Sequence, residues 1–256
     1  MLLNTYVPSV LSAPRSDIPS RAGRSDGRSD GEIRGLSCCI GAVGGASGSA
    51  FVKYGDTKAI CSVHGPRQGS EGQGVDDRAL LECDVRYAPY ASDGASSMPK
   101  SSDKWRSIHT EEKNMSNMMK ESLEASILLQ QYPKSIISLH VMIMQSSKDS
   151  SATDLAACII AGSLAISDAA IETNDLVSSC TVALVDERAV VDPTCSELQR
   201  AQGYIRIDGM ASIDAITQLW MHGRLDPLDV AELLKIGVSG CAFVRGIMRG
   251  CLLENK

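Results

Sequence analysis

The chain has 256 residues, 43% of them hydrophobic, with a net charge of −6. That length carries one sizeable α/β unit or two small ones packed closely together. The acidic balance excludes a free-standing nucleic-acid binder that works by overall charge. Any contact with RNA must come from a local basic patch or from a surface shared with partners.

Aromatic residues make up only 4%, so the core is expected from Ala, Val, Ile, Leu, Met and Cys. The nine cysteines show no C-x-x-C pair and no zinc spacing. Most, such as Cys61, Cys158 and Cys180, lie in apolar runs, as buried free thiols in a reducing compartment do. No cofactor and no metal site is legible. The start "MLLNTYVPSVLSAPR" lacks the basic opening and long apolar centre of a signal peptide. No run reaches the roughly 18 apolar residues of a membrane span. A soluble intracellular chain with no membrane partner is expected.

Residues 1–23 read as a flexible N-terminal arm, followed by one folded domain over 24–256 with ordered structure from about Ile33. The run from Gly35 to Gln68 reads as a β-meander, with Gly-Gly and Gly-Asp as turn signals. Ala59, Cys61 and Val63 alternate with Lys58, Ile60, Ser62 and His64, which is the period of a strand. "RALLECDVRYAPY" is a further strand with Leu81, Cys83, Val85 and Tyr87 on one face. "YASDGASSMPKSSDKW" reads as a polar loop. A helix is predicted from about Thr110 to Gln131, capped by Thr110 with Glu111 and Glu112 in its first turn, and stopped by Pro133. "KSIISLHVMIMQ" is a strand, apolar on both faces and so placed centrally.

A second helix is predicted over Thr153 to Ala169. Its Ala, Gly and Ser content suits close packing on a sheet. "DLVSSCTVALVDERAVVDP" reads as a hairpin turning at Asp186–Glu187, and "GYIRIDGM" and "AITQLWMHG" as two more strands. Asp226 and Pro227 open a last helix as N-cap and N1. It carries Val230, Leu233, Leu234, Gly237, Cys241, Val244 and Met248 on one face. The order predicts an α+β fold with mixed β-sheets and central helices. His64 and His140 share no ligand spacing with the other histidines and read as structural. Met115, Met118, Met119, Met142 and Met144 read as core.

Three stretches carry a resemblance. "RSDGRSDGEIR" with "GGASGSAFVKYGDTKAICSVHGPRQ", then "LEASILLQQYPKSIISLHVMIMQ", then "AACIIAGSLAISDAAIETNDLV" resemble, in order, the signature segments of the ribonuclease PH family. The resemblance runs from about residue 24 to 250. It implies the ribosomal S5 domain 2-like fold assembled into six-membered rings. Active members cleave RNA from the 3′ end by phosphorolysis. The ring of the eukaryotic RNA exosome is built of mostly inactive members.

Phosphorolysis needs donors for phosphate and carboxylates for acid–base work or a metal. Active members carry Gly-Thr-Arg before the Ala-rich helix; here Thr153 and Asp154 stand where Thr and Arg are expected. An acid in place of that Arg repels phosphate. Lys148 is the loop's one cation. Active members also carry two acids six residues apart, which by the same resemblance fall on Leu198 and Tyr204. Asp192 matches the strand-end Asp before that pair. A register shift would bring in Glu197 and Asp208, and keeps an active phosphate-dependent 3′-to-5′ exoribonuclease as the second reading. A third is an unrelated α+β enzyme or binding module.

"DPTCSELQRA" resembles the mRNA-transport-type ring subunit of the exosome. The first reading is therefore a non-catalytic scaffold. Its implied partners are other ribonuclease PH-like ring subunits and RNA-binding cap subunits, with RNA as a weak or shared ligand. The implied location is nucleus, including nucleolus, and cytoplasm. Residues expected to touch RNA are Arg67 and the loop cations Lys100, Lys104 and Arg106. Trp105 reads as an anchor of that loop.

Overall fold

The computed structural model describes residues 4–5, 24, 26–68, 77–91, 102–146 and 151–254. The first sheet contains β1 (Asn4–Thr5), β2 (Leu36–Ile40), β3 (Gly48–Tyr54), β4 (Thr57–Gln68), β5 (Leu80–Tyr87) and β6 (Ser135–Gln145), in the order β1-β2-β3-β4-β6-β5. Every pairing is antiparallel except β5 with β6. The second sheet contains β7 (Ser178–Val185), β8 (Arg188–Val191), β9 (Gly203–Met210) and β10 (Ala215–Gly223), in the order β10-β9-β7-β8, all antiparallel. The mixed α+β architecture expected from the sequence is present.

Alternation is strict in β4, where Thr57, Ala59, Cys61 and Val63 are buried and His64 is exposed. β7 turns into β8 at Asp186 (φ 47°) and Glu187 (φ 61°). Two successive positive φ values are the twist that a two-residue hairpin requires. β6 is paired on both sides, as expected, but its outer face is not covered. Met142 is 48% exposed, and His140 points outward beside His64, with ring centroids 5.7 Å apart. The placement of Met142 in the core is thus corrected. The outer face of this sheet has no helix on it among the described residues, so His140 and Met142 meet solvent, although Ile136 and Ser138 of the same face are buried.

α1 (Ser102–Glu124) begins about eight residues before the predicted start and ends about seven before the predicted end. Thr110 lies inside the helix and does not cap it. The Ser, Asp and Lys of "PKSSDKW" read as loop and so concealed this start. After Glu124 the chain makes only a 3-10 turn, Leu129–Gln131. α2 (Ser151–Asp168) is buried all round. It lies against β3 and β4 of one sheet and β7 of the other, while α1 bridges β5 and β10. α3 (Cys195–Arg200) was not anticipated.

α4 (Pro227–Glu254) follows its predicted start. By length and mean hydropathy, 1.4, it would suffice to cross a membrane. Its buried residues Leu233, Gly237, Gly240, Cys241, Val244 and Met248 recur at helical spacing, and the helix packs on β7 and β9. The contact is close because Gly237 and Gly240 carry no Cβ: one added there would strike Ile207 and the Cys180 sulfur. All nine cysteines are free, and seven are buried. Burial pushes the Cys83 and Cys241 thiols up to about 12, far from a reactive thiolate. Apart from Asn4–Thr5, the expectation of a flexible arm over 1–23 lies outside the described residues, as do Lys100 and Lys148.

Candidate functional site

The site to test lies where α2 begins, against the face of β9 that carries Tyr204, Arg206 and Asp208. Strand alternation puts these three on one side of the sheet. Ile205 and Ile207 go to the other, which meets α4.

At the first turn of α2, Asp154 is 1% exposed. Its carboxylate accepts hydrogen bonds from Thr57 Oγ1 at 2.8 Å, Ser146 Oγ at 2.5 Å and Tyr87 Oη at 3.4 Å. Three hydroxyl donors and the positive end of a helix surround one internal anion. The neighbouring Thr153 Oγ1 accepts from Arg34 Nη2 at 3.0 Å. The start of the helix therefore already holds a carboxylate belonging to the chain. Burial, then Asp154, pushes the Tyr87 hydroxyl up, so that it donates.

Asp192 closes β8. It is 2% exposed and has positive φ, 50°. Its carboxylate takes Arg34 Nε at 2.8 Å, Arg34 Nη2 at 2.5 Å and the Arg34 backbone N–H at 2.9 Å. Arg28 Nη1 adds a longer contact at 3.4 Å. Burial alone would raise this carboxyl, but Arg34 and Arg28 outweigh it and hold it below its ordinary value. Arg24 makes a two-pronged pair with Glu197, both contacts at 2.9 Å. Arg24 Nη1 donates to the Val191 carbonyl at 3.0 Å, and Nη2, which also pairs with Glu197, donates to the Asp192 carbonyl at 2.8 Å. Glu197 also accepts the Thr194 backbone N–H at 2.7 Å, half of a capping box for α3. Burial again opposes ionisation, and Arg24 overcomes it, leaving the Glu197 carboxyl below its usual range.

The two positions expected to carry acids are occupied otherwise. Leu198 and Tyr204 pack on a small apolar cluster of Ala183, Val185 and Val190. The Tyr204 ring lies 5.5 Å from that of His222. The register-shift candidates do not converge. Both Glu197 oxygens face Arg24, while Asp208 is fully buried on β9. There it accepts from Ser179 Oγ at 2.5 Å and lies 3.3 Å from Arg206 Nε. Burial pushes the Asp208 carboxyl up despite Arg206. These carboxylates do not fit the coordination of a divalent cation, which takes several accessible oxygens.

Of the residues expected to touch RNA, Arg67 ends β4 and is exposed. It donates to Ser138 Oγ at 3.2 Å and lies 3.9 Å from Glu82. Lys104 and Arg106 stand on the first two turns of α1 rather than in a loop; their side chains, like that of Trp105, lie outside what is described. Sequence reasoning missed the arginine clamp of Arg24, Arg28 and Arg34. Its signal was the spacing in "RSDGRSDGEIR", whose arginines reach more than 150 residues ahead to Asp192 and Glu197.

Fold and site together define a class. Residues 32–172 match domain 1 of the 3′ exoribonuclease family known as RNase PH, and residues 175–240 match its domain 2. The chain belongs to this family. Among particular relatives, the exosome complex component RRP41-like of Arabidopsis thaliana is 29% identical over 98% of this chain and 94% of its own length. The exosome complex component Rrp41 of Pyrobaculum aerophilum is 32% identical over 91% of this chain and 90% of its own. Among solved structures, rice (Oryza sativa) Rrp46 superposes with a TM-score of 0.74 at 20% identity, covering 88% of this chain and 98% of that one. The Archaeoglobus fulgidus exosome with RNA bound to the active site gives 0.69 at 20% identity, over 87% and 91%.

Proposed function

We propose that this chain is a non-catalytic structural subunit of the hexameric ring of an RNA exosome, supporting 3′-to-5′ RNA processing and degradation carried out by its partners. Relatives over nearly the whole length are exosome components. The observation that carries the non-catalytic part is the first turn of α2. Phosphorolysis requires a phosphate oxygen to attack the terminal phosphodiester and release a nucleoside diphosphate. An anion must therefore be held beside the scissile bond. Here the helix start is filled by the buried Asp154, already supplied with three hydroxyl donors. Coulomb repulsion from a carboxylate in low dielectric works against a second anion. Leu198 and Tyr204, at the positions of the two acids, supply no carboxylate for proton transfer near neutral pH.

On this reading the partners are other RNase PH-like ring subunits and RNA-binding cap subunits, in nucleus and cytoplasm. RNA meets Arg67, Lys100, Lys104 and Arg106 as a weak shared ligand. Within the ring, "DPTCSELQRA" favours the mRNA-transport-type position. The test is to purify the tagged protein gently from its own cells and measure the intact mass and membership of its assembly. The isolated chain is then assayed for nucleoside diphosphate release from RNA with inorganic phosphate and magnesium. A hetero-oligomer containing related chains, with no release from this one, is expected. A homohexamer that consumes RNA only with phosphate would overturn the reading.

A further inference from the structure

Between α1, the start of α2 and the β9–β10 pair lies a cavity of about 230 Å³. Glu111 of α1 stands at its rim, exposed and with no hydrogen bond or ion pair among the described residues. Trp220, 43% exposed, lines the same cavity, as do His222 and Tyr204, whose rings lie 5.5 Å apart. Met115 and Met118 line the apolar part. Arg206 is the one cation among the described lining residues. It is 2% exposed and already engaged by Gln218 Oε1 at 2.8 Å and Asp208 at 3.3 Å.

Among the described residues the charge at the rim has no cation beside it. Partial burial, then the neighbouring Asp154 and Glu112, pushes the Glu111 carboxyl up. An anionic ligand meets repulsion here. A cation is drawn by the carboxylate and by the negative faces of the aromatic rings together. Among biological cations, a guanidinium is planar, so one group stacks on an indole while its edge pairs with a carboxylate. RNA is disfavoured, since each nucleotide carries a phosphate toward Glu111, Glu112 and Asp154. Trp220 also sits on β10, the terminal strand of its sheet, where an extended segment of another chain finds unpaired backbone to run beside.

We propose that this cavity receives an arginine side chain from a partner polypeptide, its guanidinium stacked on Trp220 and paired with Glu111. The inference stands apart from the ring assignment, because it is read on the full-length chain alone. The probe is Nα-acetyl-arginine methylamide, titrated while the Trp220 indole N–H is followed by ¹H–¹⁵N NMR and assigned with Trp220→Phe. A saturable shift is expected. The isosteric but neutral citrulline compound, and the Glu111→Gln variant, should each weaken binding about tenfold, as loss of a charge-assisted hydrogen bond does. Glu111 makes no hydrogen bond or ion pair among the described residues, so the variant is expected to keep its fold, which its thermal unfolding midpoint checks. Equal binding of the citrulline compound, an unchanged Glu111→Gln variant, or no shift at all overturns the proposal. So does a response to an oligoadenylate with none to the arginine compound, which would assign the cavity to RNA.

Discussion

Asp192 concentrates the residue-scale argument. Its buried carboxylate is tolerable only because Arg34 meets it through both side-chain and backbone donors. Removing the charge strands the mostly buried Arg34 guanidinium, so Asp192→Asn should cost about 3–5 kcal/mol, measured by urea unfolding at neutral pH. The pH dependence follows from the depressed value. In the unfolded chain the group titrates at the ordinary 3.8 and in the folded chain below it. Its contribution is whole above 3.8 and is lost as pH falls from there through the folded value. Glu197 acts in the same direction below its ordinary 4.5. The acid-induced fall in unfolding midpoint should be shallower in Asp192→Asn than in the parent. Asp154 makes a second case. All its partners donate, so an amide there turns one acceptor into a donor facing a donor. Asp154→Asn is expected to lower stability by about 1–3 kcal/mol without creating phosphorolytic activity.

At the scale of elements, α2 is the axis on which both sheets are mounted, and two glycines set its distances differently. A Cβ on Gly48 of β3 would strike backbone atoms of Ala165 and Ala169 at the end of α2. The same junction is fixed by Asp168, which accepts the Ser49 N–H at 2.8 Å. Backbone cannot step aside, so Gly48→Ala should destabilise by about 1–3 kcal/mol. A Cβ on Gly162 would crowd the side-chain ends of Met119 and Leu123 in α1 and touch Leu139 of β6 at ordinary contact distance. Those ends can rotate away, and alanine gains helix propensity. Gly162→Ala should therefore lie within about 1 kcal/mol of the parent. Chemical denaturation of the two variants side by side tests the ordering, and the reverse order would contradict this packing.

For the molecule as a whole, the exposed apolar residues are unevenly spread. Ile216, Leu219, Trp220 and Met221 all belong to β10, each more than 40% exposed. A terminal strand with apolar side chains and free backbone is the arrangement a chain hides when it works in an assembly. Met221→Lys places a charge on that edge at a side chain that is 55% exposed. The variant should keep the parent's unfolding midpoint, yet recover fewer related chains when the tagged protein is purified and the assembly weighed. Full recovery would place the subunit contacts elsewhere.

Much of the fold was legible in the chain itself, for a local reason. Period-two alternation in β4, the turn at Asp186–Glu187 and the Asp226–Pro227 opening of α4 all depend on neighbours within a few residues. So did the replacement of an expected arginine by Asp154, once the resemblance had aligned the helix. The start of α1 was not legible, because the Ser, Asp and Lys before Trp105 read as loop. Met142 and His140 misled because an apolar strand reads the same whether or not a helix covers its second face. The Arg24–Glu197 and Arg34–Asp192 pairs, and the cavity that Glu111 and Trp220 both line, join residues more than a hundred positions apart. Composition and spacing determined the elements, and the resemblance alone placed Leu198 and Tyr204 where acids are expected. Only the tertiary structure decided what each remaining charge faces, since burial and partnership depend on the packing of distant segments.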